Sequence, residues 1–120
     1  MTALETAARY YDAWINKHGD FSEVPLAEDF EFTGPVASFD SAEGYRAMAH
    51  EAGRAVTTFA VRRQFADGDT VCSIIDWEMA LPVAPMTSAE ILEVENGQIV
   101  RGELIYDGEA LRRAMAQAAG

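Results

Sequence analysis

The sequence predicts an α+β domain, with helices packed on one face of a twisted, mostly antiparallel sheet, and three observations carry that prediction. Apolar residues recur at helical spacing near the N-terminus and again from Ala42 to Ala52. From Val56 onward the period changes to two. Two turn signals, Asp67-Gly68-Asp69 and Asn96-Gly97, then divide the second half of the chain into two hairpins. Helices first and a long meander afterwards is the order of an α+β fold.

Thr2 with Glu5 three residues on has the pattern of a capping box, and Leu4, Ala8, Tyr11 and Ile15 follow at helical spacing. This first helix is expected to run to about Lys17. Ala7, Tyr10 and Trp14 form a second stripe beside the first, which makes the apolar side wide enough to face both a core and a cavity. His18-Gly19 ends it, the glycine being suited to a left-handed cap. Residues 22–28 read as one short helical turn with Pro25 in it, and residues 30–33 alternate as a short strand before Gly34-Pro35 breaks the pattern. Asp40, with Glu43 three residues later, caps a further helix whose buried stripe is Ala42, Tyr45, Met48, Ala49 and Ala52, up to Gly53. The first hairpin pairs residues 57–66 with 70–81, and the second pairs about 86–95 with 98–106. Four antiparallel strands are therefore expected. Residues 82–85 turn between the hairpins, and beyond Asp107-Gly108 the segment GEALRRAMAQA closes the chain as a helix.

The 120 residues suffice for one hydrophobic core and one site, so residues 1–120 are read as a single domain. A formal net charge of −11 repels phosphate backbones, and the Arg and Lys residues are scattered, so no nucleic-acid partner is expected. No apolar run approaches the roughly 20 residues that span a bilayer. The N-terminal stretch has acids and aromatics where an export signal has a basic start, which places the protein in the cytoplasm by expectation. Cys72 stands alone and is read as a small buried hydrophobe. Glycine-rich phosphate loops and clustered metal ligands are missing from the pattern, so neither a cofactor nor a metal is expected. The acidic balance favours a small neutral, hydrophobic molecule as the ligand.

Asp76 lies in the middle of VCSIIDWEMALP, residues 71–82, an apolar run with the composition of a central strand covered on both faces. Buried beside Ile75 and Trp77, it would have its pKa raised by desolvation and could act as a general base, worth roughly 10² to 10⁴ in rate. The other reading pairs it with Arg62 or Arg63 on the neighbouring strand. Glu90 shares a strand face with Leu92 and Val94, which points it inward, where a neutral carboxyl could donate to an oxyanion, or leaves it at an exposed edge. Tyr10 and Trp14 lie one turn apart on the helix and serve as core or as a ligand wall. His18 and His50 sit near helix ends and are expected in solvent.

The order of elements, with ARYYDAW near the start, LAEDFEFTGP next and ENGQIVRGELIYDGEALRRAM at the end, resembles the nuclear transport factor 2-like superfamily over nearly the whole chain. Its SnoaL-like group is the nearest in look, with limonene epoxide hydrolase and ketosteroid isomerase as relatives. The resemblance implies a cone-shaped, cystatin-like barrel of curved sheet wrapped around N-terminal helices, a deep pocket between the first helix and the concave sheet, and a dimer. It aligns Asp76 with one hydrolase aspartate, but Ile74 stands at the arginine position, Leu104 at the second aspartate, and Phe32 and Gly34 near the polar side chains that hold water. Against the isomerase, Tyr10 matches the tyrosine that donates to the oxyanion and Glu90 falls near the acid beside it, while Gly34 stands at the general base. Part of each site is kept and the whole of neither.

Two functions follow. The first is an isomerase, cyclase or hydrolase acting on a neutral hydrophobic molecule, with Asp76 moving the proton, Glu90 and Tyr10 polarising an oxygen, and Trp14, Phe32 and Leu104 lining the wall. The second is a non-catalytic ligand binder or dimeric accessory module. Apolar residues on both faces of the middle strands point to a homodimer through the outer sheet face.

Overall fold

The computed structural model describes residues 1–119. Its elements are α1 (Ala3–Ile15), β1 (Leu26–Thr33), β2 (Ser38–Phe39), α2 (Ala42–Ala52), β3 (Val56–Asp67), β4 (Thr70–Met79), β5 (Met86–Glu95), β6 (Gln98–Ile105) and α3 (Glu109–Ala119). The strands form one six-stranded sheet in the order β2-β1-β6-β5-β4-β3. Neighbours are antiparallel except β1 and β6, which run parallel. The α+β cone expected from the sequence is found, with its two edge strands, β2 and β3, left unpaired to each other. Register shifts at Val56/Thr58 and Val61/Arg63 on β3, and between Leu26 and Glu31 on β1, are bulges of the kind that bend a strand and curl a sheet.

Both hairpins form as their turns demand. Asn96 and Gly97 hold φ values of 52° and 74°, the left-handed pair that a two-residue hairpin loop requires. The capping box at Thr2 also forms: Glu5 N–H donates to the Thr2 hydroxyl at 3.1 Å and Thr2 N–H donates to the Glu5 carboxylate at 2.8 Å.

Four local expectations are corrected. Residues 22–28 are not a helical turn, because the Pro25 carbonyl already accepts from Ile99 N–H at 2.8 Å and aligns the chain with β6, so β1 begins at Leu26. Arg46 secures the preceding loop from α2, donating to the carbonyls of Phe21 and Val24 at 3.1 and 2.8 Å. The cap of α2 is Ser41, not Asp40: its hydroxyl accepts from Gly44 N–H at 3.0 Å, two residues after β2 ends. On α1 the stripe of Ala7 and Tyr10 faces the core together with Tyr11, whereas Leu4 and Ile15 are exposed. Cys72 is half-buried rather than buried, since it sits on the outer face of β4 opposite Phe65 and Ile91.

The core lies between α1, α2 and the concave face. Tyr10, Phe21, Phe30, Tyr45, Ile75 and Leu92 are its largest fully buried members. Tyr45 is ringed by Phe21, Phe30 and Phe32 at centroid separations of 5.3, 5.2 and 4.9 Å, which locks α2 over β1. Where α1 and α2 end, their backbones meet: a Cβ at Gly53 would stand 1.7 Å from the His18 carbonyl oxygen. α3 closes the open end, burying Leu111 and Ala114. Arg112 fastens it by donating to the Pro35 carbonyl at 2.9 Å.

Candidate functional site

A cavity of about 180 Å³ opens between the concave sheet, α1, α2 and α3. Trp14 comes to it from α1, Tyr45 and Met48 from α2, Phe32 from β1, Ile75 and Trp77 from β4, Leu104 from β6, and Leu111 and Met115 from α3. Trp14 stacks on Phe59 with centroids 5.8 Å apart, and Trp77 meets Tyr106 edge-on at 5.4 Å. Trp77 also satisfies its indole N–H, which donates to Ser88 at 2.8 Å. The wall is therefore aromatic and rigid. Among the described residues its single ionisable carboxyl is Glu90 of β5.

Glu90 points inward because strand parity groups it with Ser88, Leu92 and Val94, all buried. Its neighbours across the sheet are Ser73 on β4 and Leu104 on β6. Helix α1 supplies its partners: Tyr10 donates to Oε2 at 2.8 Å and Tyr11 to Oε1 at 3.0 Å. Tyr10 has only one proton, so its second bond, to the Tyr45 hydroxyl, must receive its proton from Tyr45. Every hydroxyl in the chain Tyr45, Tyr10, Glu90 thus donates toward the carboxyl.

Burial raises the Glu90 pKa to about 7, against the pull of the two tyrosine hydrogen bonds. Desolvation and the Glu90 charge push Tyr10, Tyr11 and Tyr45 upward, so they stay neutral across the physiological range. Near neutrality the site holds a carboxyl about equally split between its two forms. When neutral, Glu90 can still accept from both tyrosines through its two oxygens. Tyr11→Phe removes one donor to the anion and is expected to move Glu90 further up; a carboxyl titration followed by ¹³C NMR that stays at about 7 would contradict the assignment.

The structure separates the residues that the sequence grouped. Glu90, Trp14, Phe32 and Leu104 all line the cavity. Tyr10 is fully buried behind Glu90 and touches the cavity only through it and Tyr45. Asp76 is not in the cavity. It lies on the outer face of β4, opposite Ala60 and Thr87, where the bulge in β3 brings Arg62 beside it. Arg62 Nε donates to Oδ2 at 2.8 Å, Arg62 Nη2 bonds Oδ1, and Thr87 donates to Oδ1 at 2.7 Å. These hydrogen bonds hold its pKa below the ordinary aspartate value, the reverse of the raised value expected for a buried base. The side chain is 43% exposed. Asp76→Asn is accordingly expected to leave ligand binding in the cavity unchanged, as a binding isotherm of the variant would show.

Tyr11 and Tyr45 were missed as members of the site. Both stood in apolar helical stripes, and nothing in one-dimensional spacing tells a core tyrosine from one whose hydroxyl meets an acid on a distant strand. Their signal was chemical: three tyrosines on two helices facing one inward Glu need a polar partner once buried.

The SnoaL-like domain family model matches residues 7–102, and the chain belongs to that family. Among solved structures it is similar to a protein from Kribbella flavida, with 29% identity, a TM-score of 0.82, and 99% of this chain and 98% of that one covered. It is also similar to an LEH-like epoxide hydrolase of M. tuberculosis, at 16% identity and a TM-score of 0.72, over 98% of this chain and 94% of the other. A putative polyketide cyclase from Sinorhizobium meliloti shares 17% identity and a TM-score of 0.74, over 88% and 100% of the two chains. No curated protein matches.

Proposed function

We propose that this SnoaL-like protein binds a small hydrophobic molecule in the cavity and moves a proton on it through Glu90, as an isomerase or cyclase that needs no cofactor. The observation that carries the reading is a carboxyl of pKa about 7 held at the wall of an otherwise apolar cavity by two tyrosine donors. A group poised near the working pH can both take and return a proton. Neutral Glu90 offers its proton to a substrate oxygen or carbon; ionised Glu90 accepts one, its new charge spread over Tyr10 and Tyr11. With one carboxyl in the cavity, both proton movements of an isomerisation pass through the same group.

Hydrolysis is the weaker of the three reactions for this cavity, because the arginine and aspartate positions of the hydrolase pattern are Ile74 and Leu104, and no further charged group is there to hold a water. The size fits a modest substrate: an engineered apolar cavity of about 150 Å³ takes benzene, so 180 Å³ suits a substituted single ring. No helix among the described residues is long and apolar enough to cross a membrane.

The test is deuterium uptake from D₂O into a single-ring β,γ-unsaturated ketone, followed by NMR. The protein is expected to accelerate exchange and double-bond migration, and Glu90→Gln to abolish the acceleration. Equal rates with and without protein would leave a ligand-binding module as the surviving reading.

The outer sheet face carries Phe65 and Ile105, 55% and 50% exposed, with half-buried Ile74 and Ile91 on the strands between them. A homodimer through this face is the arrangement we propose, and light scattering that returns the mass of a single chain at all concentrations would reject it.

A further inference from the structure

We infer that the cavity is a socket for an organic ammonium ion, in which Glu90 supplies the counter-charge and the rings of Trp14, Phe59, Trp77 and Tyr106 enclose the groups on nitrogen. The inference rests on the same cavity as the proposed function and names a ligand class for it.

Three observations converge. First, Glu90 is a buried carboxyl without a cation. None of the salt bridges among the described residues reaches it, and no Lys, Arg or His lines the cavity. A buried charge needs an opposite charge or several hydrogen bonds, and when the partner is not on the protein a ligand can bring it. Second, the hydroxyls around Glu90 favour its anion, while burial opposes it. The groups that face Glu90 are the hydroxyls of Tyr10 and Tyr11 on α1, relayed from Tyr45 on α2, with Ser73 on β4 and Leu104 on β6 beside it. The tyrosines donate toward it, so the carboxylate is stabilised while each oxygen keeps lone pairs free for the cavity. Third, four of the remaining walls are aromatic faces and edges, two of them indoles, and a cation gains most from indole. The net charge of −11 adds a field that concentrates cations near the protein.

A neutral ligand of the same shape gains the apolar contacts but leaves an ionised Glu90 without a counter-charge. An ammonium ion pairs with it. The proton balance is explicit. Below the Glu90 pKa the carboxyl is neutral, the free amine is already protonated, and the complex is carboxylate with ammonium, so one proton leaves Glu90 for solvent. The tyrosines remain neutral throughout and take no part in that count.

The test compares N,N-dimethylbenzylamine with its uncharged analogue N,N-dimethylbenzamide by titration calorimetry. At pH 7.5 the amine is expected to bind the unaltered protein at least about tenfold more tightly, the size of effect that a charge-assisted hydrogen bond supplies. At pH 6 its apparent enthalpy is expected to differ between phosphate and ACES buffers, which both titrate near that pH but differ in ionisation heat, reporting release of close to one proton, while that of the amide does not. Glu90→Gln is expected to lower amine affinity about tenfold and to leave the amide within a factor of about three. The buffer comparison uses the unaltered chain, so it stands even if the variant folds poorly. Amide binding as tight as amine binding overturns the ammonium socket and leaves the proton-transfer reading intact. Amine selectivity that persists unchanged in Glu90→Gln, or a buffer-independent enthalpy at pH 6, overturns it as well. Failure of both compounds to bind at millimolar concentration removes the open cavity and both readings with it.

Discussion

Glu90→Gln is expected to stabilise the protein at pH 8 by about 3 kcal/mol and to flatten its pH dependence between about 4.5 and 7. The sign follows from proton binding. In the unfolded chain Glu90 has its ordinary pKa of 4.5, and in the folded protein burial lifts it to about 7, so between those values the folded state holds the extra proton. Stability from this group is therefore fully present below pH 4.5, declines as pH rises toward 7, and is gone above it. A shift of about 2.5 units is worth about 3 kcal/mol at 1.36 kcal/mol per unit. Glutamine never ionises, and its amide oxygen can still accept from a tyrosine. Urea denaturation of both proteins at pH 5 and pH 8 reads the difference directly. Stability curves that stay parallel would show that Glu90 is not a desolvated carboxyl, and the proposed chemistry would lose its basis.

Gly53→Ala carries the second large effect, with the opposite sign. Gly53 has φ −60°, a conformation in which alanine is ordinarily preferred, and at such a site Gly→Ala stabilises by about 0.4 to 1 kcal/mol. Here the new Cβ would lie 1.7 Å from the His18 carbonyl oxygen and 2.4 Å from its carbon, both backbone atoms. Backbone cannot rotate away as a side chain can. His18 itself has φ 51° and Gly19 φ 84°, so the loop that would have to move is already in the left-handed region. Overpacking of this kind costs about 3 kcal/mol, and in a domain of this size that lowers Tm by roughly 10 °C. A thermal melt of the variant that matches or exceeds the parent would show that the ends of α1 and α2 are not in close contact. The cavity is the functional corollary, because Trp14 reaches it from the last turn of α1 and Met48 and Ala52 from the last turns of α2.

The architecture was legible because its signals are local. Capping at Thr2, the Asn96-Gly97 turn and the change of period near Val56 each act within a few residues, and each element forms where its signal lies. β1 was cut short and read partly as a helical turn because its reason for being extended, pairing with β6, lies more than half the chain away. The site divided in the same way. Glu90 followed from strand parity, which depends only on its own strand. The buried-base reading of Asp76 took an apolar strand as covered on both faces, whereas Cys72, Ile74 and Asp76 lie on the outer one and Val71, Ser73, Ile75 and Trp77 on the inner; the alternative reading, a pair with Arg62, is the arrangement found. The bulge at Val61/Arg63 that delivers Arg62 to it has no sequence signature here.

The parallel pairing of β1 with β6 also bears on synthesis. Leu26 lies beside Ile99 and Thr33 beside Glu103, so the first strand waits for the last one to emerge from the ribosome. Until then β1 has only the two residues of β2 beside it, and the aromatic side chains it presents, Phe30 and Phe32, have no sheet to rest on. Contacts so distant in sequence close slowly. The nascent chain spends that interval with the adhesive edge of a strand uncovered, the period in which a chaperone would be most useful to it.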